Sequence, residues 1–256
     1  MALPANVRVI EAICPHSHIK AMLERPVAAA DIPKALRGMR KTMTKKSISK
    51  KNSGQQLAEL NGIQNVCVFC GSGSGRNPDF ALAARTLGQQ LAEADVGLVY
   101  GGGSLGLMGE VAKSVLKHKG YVTGIIPSFL SEKEQMLRDV NELIVTEDMH
   151  QRKRLMFERS DAFVALPGGI GTLEELVEQL TWAQLGRHTK PIVIANVAGY
   201  WDSLCALLDH MRAETFIRAS LQVPYTVVDK AEDILPAIAA AAPVVSKERT
   251  DVIERM

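Results

Sequence analysis

The chain has 256 residues with a formal net charge of +2, and 46% of them are hydrophobic. This length allows one α/β domain with a substantial core, and an aromatic content of 5% with 20 glycines is typical of a parallel sheet rich in Val, Ile and Ala. No apolar run approaches the roughly 20 residues that span a bilayer, and the N-terminus lacks a charged start followed by a secretory apolar core. We therefore expect a cytoplasmic protein with no membrane partner.

Basic residues are concentrated at the N-terminus. Residues 1–56 contain eleven Lys or Arg and three acids, a balance of +8, and because the whole chain carries +2 the other residues carry −6. After Leu36 this leader has almost no large apolar side chains, which predicts a disordered extension or a start codon assigned too far upstream. It lacks interleaved aromatic residues and a folded basic face, so we expect no nucleic-acid partner.

The four cysteines are too few and too scattered for a disulfide framework. Cys67 and Cys70 form a C-x-x-C pair, a spacing found in redox and zinc sites, but no second pair is present to complete a zinc site. Both lie in the apolar run NVCVFC, so we interpret them as small buried side chains and expect no metal.

From Asn65 onward, short Val- and Ile-rich runs alternate with amphipathic stretches. The runs predict strands at 66–70, 97–100, 121–126, 142–146, 162–166 and 191–196, with a seventh near Val227. The stretches between them predict helices at 78–93, 105–117, 149–159, 173–185 and 201–211. This alternation implies parallel strands joined by right-handed crossovers, with helices on both faces. The sequence therefore predicts a single doubly wound, Rossmann-like α/β domain with a mainly parallel sheet.

Three predicted strands end in glycine-rich turns, with the sequences CGSGSG, YGGGSLGLMG and LPGGIGT. Ligands of doubly wound sheets bind at the carboxyl ends of the strands, and glycine lets backbone N–H groups approach an anion there. Three such turns at one edge indicate a nucleotide-type site. Gly101, Gly103 and Gly106 match G-x-G-x-x-G, but the next strand lacks the acid that would hold a ribose, so NAD binding is disfavoured. No glycine turn continues as Gly-Lys-Ser/Thr, which argues against a P-loop.

The turn after the fifth strand leads directly into two acids, Glu174 and Glu175. Thr172 and Glu175 have the T-x-x-E spacing of a capping box with Thr172 as the helix N-cap, so both could serve only the helix end. The preceding helix, however, begins MHQRK and places Arg152 and Lys153 near this turn. Cations at a helix N-terminus oppose the helix dipole, so we expect an anionic group to compensate them.

Together, PGGIGTLEE, MHQRK and GGGSLGLMG resemble the LONELY GUY (LOG) family of cytokinin-activating phosphoribohydrolases, many of them long labelled lysine decarboxylases. The resemblance covers residues 64–217, including LTWAQLG. It implies hydrolysis of the N-glycosidic bond of a nucleoside 5′-monophosphate, which releases an N6-modified adenine, or adenine from AMP, and ribose 5-phosphate. We expect no cofactor. The predicted regions are a basic extension at 1–60, a catalytic domain at 61–245 and a charged tail at 246–256.

The resemblance also implies which residues act. The family's catalytic residues fall on Arg152 and Glu175. Its substrate contacts fall on Glu134, Lys153, Gly168, Gly169, Ile170, Gly171, Thr172, Leu173 and Glu174, although the loop around Glu134 departs from the family's usual sequence pattern. Glycosidic cleavage passes through an oxocarbenium-like sugar, and we assign its stabilisation to the Glu175 carboxylate. Arg152 stays protonated, so we expect it to hold the ligand rather than to donate a proton.

Other functions compete with this hydrolysis. Lysine decarboxylation with pyridoxal phosphate needs a Schiff-base lysine in a cofactor pocket, and no lysine ends a predicted strand in such a setting. A non-catalytic nucleotide-binding module would bind a mononucleotide without releasing the base, and the Arg152 and Glu175 pair argues against it. An AMP nucleosidase with no cytokinin role stays open, because the sequence states no preference between bases.

Two further features remain open. The helix around Trp182 is apolar on one face, so it packs either in the core or at a subunit interface; the resemblance implies a homodimer, with a hexamer also open. His150 could protonate the departing base, although a histidine at a helix start more often makes a local hydrogen bond.

Overall fold

The computed structural model describes residues 60, 62–131, 136–217 and 225–242, so the predicted tail and nearly all of the predicted extension lie outside the described residues. The strands are β1 (Asn65–Phe69), β2 (Gly97–Tyr100), β3 (Val122–Pro127), β4 (Glu142–Thr146), β5 (Ala162–Ala165), β6 (Ile192–Ala195) and β7 (Thr226–Val228). The helices are α1 (Pro78–Glu93), α2 (Gly106–Lys117), α3 (Ser128–Ser131), α4 (Met149–Glu158), α5 (Ile170–Gln184), α6 (Asp202–Ala213) and α7 (Ile234–Ala241). None of the helices in these ranges is long and apolar enough to cross a bilayer.

The seven strands form one sheet in the order β4-β3-β2-β1-β5-β6-β7, and every neighbouring pair is parallel. Strands β2, β3 and β4 are added in order on one side of β1, and β5 then pairs with the other side of β1. This reversal is the topological switch point of a doubly wound sheet, where ligand crevices form. The predicted α/β fold is confirmed.

Helices cover both faces of the sheet. Alternate β1 residues point to opposite sides, so Val68 belongs to one core layer and Cys67 to the other. The first layer contains side chains of α1, α2 and α7, and the second contains side chains of α4, α5 and α6. The helix after β1 and the helix after β5 therefore leave the sheet on opposite sides, which opens a crevice between the two strand ends.

The start of α5 differs from the sequence prediction. The helix begins at Ile170 rather than at residue 173, and its N-cap is Gly169, with extended backbone and no capping side chain. The prediction of Thr172 as N-cap is therefore wrong, because the glycine turn enters the helix earlier and places Thr172 in its first turn. The spacing of Thr172 and Glu175 is not a capping box here.

The packing of α5 on the sheet gives a stability test. Leu176 has no exposed surface, whereas the neighbouring Val177 is 42% exposed. Leu176→Ala should lower the free energy of unfolding by about 2–5 kcal/mol, because it removes buried methyl groups and leaves a cavity. Val177→Ala should change it by about 0.5 kcal/mol or less. Urea denaturation followed by circular dichroism measures both, and equal losses in the two variants would contradict this placement of α5.

Candidate active site

A pocket of about 320 Å³ lies in the crevice between the ends of β1 and β5. It is lined by Val68, Cys70, Gly71, Ser72, Gly101, Met108, Arg152, Gly169, Ile170, Gly171, Thr172 and Glu175. These residues come from all three glycine-rich turns and from the starts of α4 and α5. The strand order therefore assembles one site from segments that are far apart in the sequence.

Arg152 is buried at the floor of this pocket. Asp148 caps α4 by accepting the Gln151 N–H at 2.8 Å, which fixes the turn that carries Arg152. The Arg152 Nε donates to the Ile125 carbonyl at 3.1 Å. A Cβ at Gly101 would collide with the Arg152 Nη2, so glycine at the end of β2 is what allows the guanidinium to lie there.

Glu175 projects from α5 towards the same guanidinium. Its Oε1 lies 3.3 Å from the Arg152 Nη1, and the two side chains are only 11% and 8% exposed. Burial raises the pKa of the Cys67 and Cys70 thiols, and the Glu175 carboxylate raises both further. Cys70 therefore lines the pocket as a protonated thiol, which is unsuited to act as a nucleophile.

The N-terminus of α5 is open to the pocket. Gly169 contributes no capping side chain, and no acceptor among the described residues takes the N–H groups of Ile170, Gly171 or Thr172. A 15-residue helix with three unsatisfied N–H groups at its start offers hydrogen bonds and a partial positive charge to an anion. Gly168 is required behind this turn, because a Cβ there would collide with the Thr172 Oγ1.

The N-terminus of α2 is partly closed by contrast. The Gly71 carbonyl accepts the N–H of Leu107 at 3.0 Å and the N–H of Met108 at 3.3 Å. Two of the first three N–H groups of the helix that follows the G-x-G-x-x-G match are therefore occupied by the turn after β1. This leaves fewer donors at that helix for a pyrophosphate than at the start of α5.

Lys153 and Glu174 lie outside the pocket. The Lys153 Nζ bonds to the Oε1 of Glu174 at 2.7 Å and to the Oε1 of Glu178 at 2.9 Å. Burial lowers the pKa of Lys153, but the two carboxylate hydrogen bonds outweigh burial and raise it above its ordinary value. Lys153 therefore joins α4 to the outer side of α5 as a permanent cation.

The other predicted residues have different positions. Gly168 lies directly behind the start of α5, and Leu173 is half-buried among the side chains that pack on the second core layer. His150 is exposed and lines a separate hollow with Glu147 and Arg154. Glu134 falls outside the described residues.

Sequence reasoning did not identify Tyr200 as part of this region. Its hydroxyl donates to the Gly168 carbonyl, and its ring lines a second pocket that adjoins the first at Gly71, Ser72 and Gly169. The segment NVAGYW contains no phosphate or carboxylate motif, so nothing in it pointed to this site.

Comparisons with known proteins identify relatives of this chain. Residues 108–238 match the family described as "Possible lysine decarboxylase". A rice protein, "Probable cytokinin riboside 5′-monophosphate phosphoribohydrolase LOG4", is 46% identical over 180 residues, covering 70% of this chain and 78% of that protein. The Arabidopsis thaliana "Cytokinin riboside 5′-monophosphate phosphoribohydrolase LOG5" is 42% identical over 198 residues, covering 76% of this chain and 87% of its own length.

Solved structures support the fold. The Moco carrier protein of Chlamydomonas reinhardtii aligns with a TM-score of 0.52 at 22% identity, covering 70% of this chain and 96% of its own. The molybdenum cofactor binding protein of Rippkaea orientalis gives a TM-score of 0.51 at 24% identity, covering 69% and 96%. At this identity the likeness concerns architecture alone. The identity to the plant enzymes is much higher, at 46% and 42%, and the family match covers residues 108–238. These two findings show that this chain belongs to the LONELY GUY family.

Proposed function

We propose that this chain hydrolyses the N-glycosidic bond of N6-modified adenosine 5′-monophosphates and releases the free cytokinin base and ribose 5-phosphate. The observation that carries the proposal is the buried Arg152–Glu175 pair in the same pocket as the open start of α5. The plant relatives are named for this activity. Phosphate-binding and charge-stabilising groups are both needed for such a ligand, and they lie on one helix.

The phosphate end of the ligand binds at the start of α5. The N–H groups of Ile170, Gly171 and Thr172 supply the hydrogen bonds, and the helix dipole favours the negative charge. The Thr172 hydroxyl stands beside them. Lys153 lies outside the pocket and is paired with both Glu174 and Glu178, so we assign it a structural role rather than a phosphate contact.

The sugar end of the ligand faces Glu175. Glu175 follows Thr172 by three residues, about 4.5 Å along the helix axis, so a ribose that extends from the phosphate passes the carboxylate. When the bond from the anomeric carbon to the base nitrogen breaks, the electron pair leaves with the base and positive charge develops on the sugar. The carboxylate stabilises this charge, orients the attacking water and accepts its proton, and the departing base takes up one proton to become the free base.

Arg152 positions Glu175 and the ligand relative to each other. Its guanidinium does not release a proton at neutral pH, so it acts by hydrogen bonding and charge. The Ile125 carbonyl accepts from the guanidinium Nε, Nη1 donates to the Met149 Sδ at 3.9 Å, and the Glu175 carboxylate forms an ion pair with Nη1. The Nη2 group can donate to a ligand oxygen, which positions the sugar against the carboxylate.

Decarboxylation fits this site poorly. A pyridoxal phosphate enzyme needs a lysine amine in the pocket, and no lysine is among the described residues that line it. The nearest candidate along the sequence, Lys153, already bonds to two carboxylates. AMP nucleosidase activity without a cytokinin role is the second candidate, because the phosphate and ribose contacts are the same for both substrates.

We also propose a cytoplasmic homodimer without a nucleic-acid partner. Val177 in α5 and Leu185, the C-cap of that helix, are exposed apolar side chains that a second copy would cover. Cys67, Cys70 and Cys205 are free thiols, which suits a reducing compartment.

The substrate assignment is tested directly by product release. The purified chain should release adenine from AMP or isopentenyladenine from isopentenyladenosine monophosphate, and chromatography quantifies the free bases. The corresponding ribosides, which lack the phosphate, should react much more slowly, because the open start of α5 has nothing to bind. Equal rates with and without the phosphate would contradict the phosphate site, and no release from either nucleotide would contradict the proposed hydrolysis.

The role of the carboxylate is tested by Glu175→Gln. This change keeps the side-chain shape beside Arg152 but removes the negative charge, so turnover should fall by about 10²-fold or more. The matched control is Glu178→Gln, on the same helix but bonded to Lys153 outside the pocket. Steady-state kinetics should show near-normal turnover in the control. A Glu175→Gln enzyme within twofold of the unmodified one would remove Glu175 from the chemistry.

The placement of Arg152 is tested at Gly101. Gly101→Ala puts a methyl group where the Arg152 Nη2 lies, so the guanidinium must move and kcat/KM should fall by about 10²-fold. Val177→Ala is the control, because this exposed side chain lines neither pocket of the site. Circular dichroism should show that both variants are folded. Full activity in Gly101→Ala would mean that the observed Arg152 position is not needed for turnover.

A further inference from the structure

The turn after β6 holds Tyr200 in a fixed place beside the site. The Asn196 side chain accepts the Trp201 N–H at 2.7 Å and donates to the Asp202 Oδ1 at 2.8 Å, which closes this turn. Within it, Ala198 has φ 52°, a left-handed conformation that a residue with a side chain rarely adopts. The hydrogen bonds of Asn196 therefore hold the backbone conformation of the turn that precedes Tyr200.

The ring of Tyr200 is held edge-to-face by two other aromatic rings. Phe80 lies 5.3 Å away and Trp201 lies 4.9 Å away, measured between ring centroids. This packing directs the hydroxyl to the Gly168 carbonyl, to which it donates a hydrogen bond. The residue is 41% exposed, so water could satisfy the hydroxyl without any protein partner. The bond to Gly168 is therefore not explained by burial.

The hydrogen bond sets the orientation of one peptide group. The Gly71 N–H holds the Pro167 carbonyl at 3.1 Å, and Tyr200 holds the next carbonyl, that of Gly168. The peptide between Gly168 and Gly169 is trans, so its N–H points opposite to its carbonyl. The Gly169 N–H is thus turned away from Tyr200, and no acceptor among the described residues takes it.

We propose that Tyr200 is a positioning residue for the phosphate site. By fixing the Gly168–Gly169 peptide, it adds the Gly169 N–H to the N–H groups of Ile170, Gly171 and Thr172 that receive the 5′-phosphate. Tyr200 itself touches none of the reacting atoms. The inference rests on the proposed nucleotide hydrolysis, and it predicts a contribution to phosphate affinity rather than to bond cleavage.

The test compares Tyr200→Phe with Tyr225→Phe. The first variant keeps the ring between Phe80 and Trp201 and loses only the hydroxyl. The second removes a hydroxyl that accepts from the Arg212 Nη2 at 2.9 Å and lines neither pocket of the site. Kinetics with isopentenyladenosine monophosphate should give Tyr200→Phe a KM raised about tenfold, the effect of losing one hydrogen bond, with kcat within twofold. Tyr225→Phe should match the unmodified enzyme.

A second measurement separates this inference from the proposed function. Calorimetric titration with ribose 5-phosphate needs no turnover, and Tyr200→Phe should weaken this binding about tenfold. Unchanged ribose 5-phosphate affinity, or a fall in kcat at constant KM, would overturn the positioning role. An equal rise in KM for the phosphate-free riboside would also overturn it, because Tyr200 would then act on the base or the sugar. If the unmodified enzyme released no base, the proposed hydrolysis would fail while the titration still decided the role of Tyr200.

Discussion

The buried ion pair between Arg152 and Glu175 is the constraint on which the site depends. Two charges with so little solvent access are stable only when each satisfies the other, and removing one partner of such a pair costs about 3–5 kcal/mol. The fold supplies the remaining contacts, with the Ile125 carbonyl on the guanidinium and Gly101 leaving room for it. Because this pair joins α4 and α5, it also ties together the helices that precede and follow β5 in the chain.

The site separates opposite charges along one helix. The start of α5 presents unsatisfied N–H groups, which suit a phosphate, and Glu175 lies one turn further on, where a cleaved sugar becomes positive. A carboxylate beside an anion site is unfavourable in isolation, but here Arg152 offsets its charge. Since the Gly71 carbonyl accepts the N–H groups of Leu107 and Met108 near the start of α2, the start of α5 offers the phosphate more unsatisfied donors.

The sequence predicted the parts of the molecule that depend on local pattern. Strand and helix alternation predicted the parallel sheet, and two motifs pointed to Arg152 and Glu175, which the structure brings within 3.3 Å of each other. The orientation of Lys153 could not be predicted in the same way. Lys153 follows Arg152 on the same helix, so its side chain points about 100° away from that of Arg152 and leaves the pocket. Tyr200 is 32 residues from Gly168 and meets it only through the order of β5 and β6, which no local pattern encodes.

The most direct test of this division of charge is a crystal structure of the Glu175→Gln variant with an adenosine 5′-monophosphate bound. We expect the phosphate to accept hydrogen bonds from the N–H groups of Ile170, Gly171 and Thr172, with the anomeric carbon facing residue 175 and Arg152 beside the sugar. A phosphate bound at the start of α2, or a sugar turned away from residue 175, would contradict the placement of the two ends of the ligand.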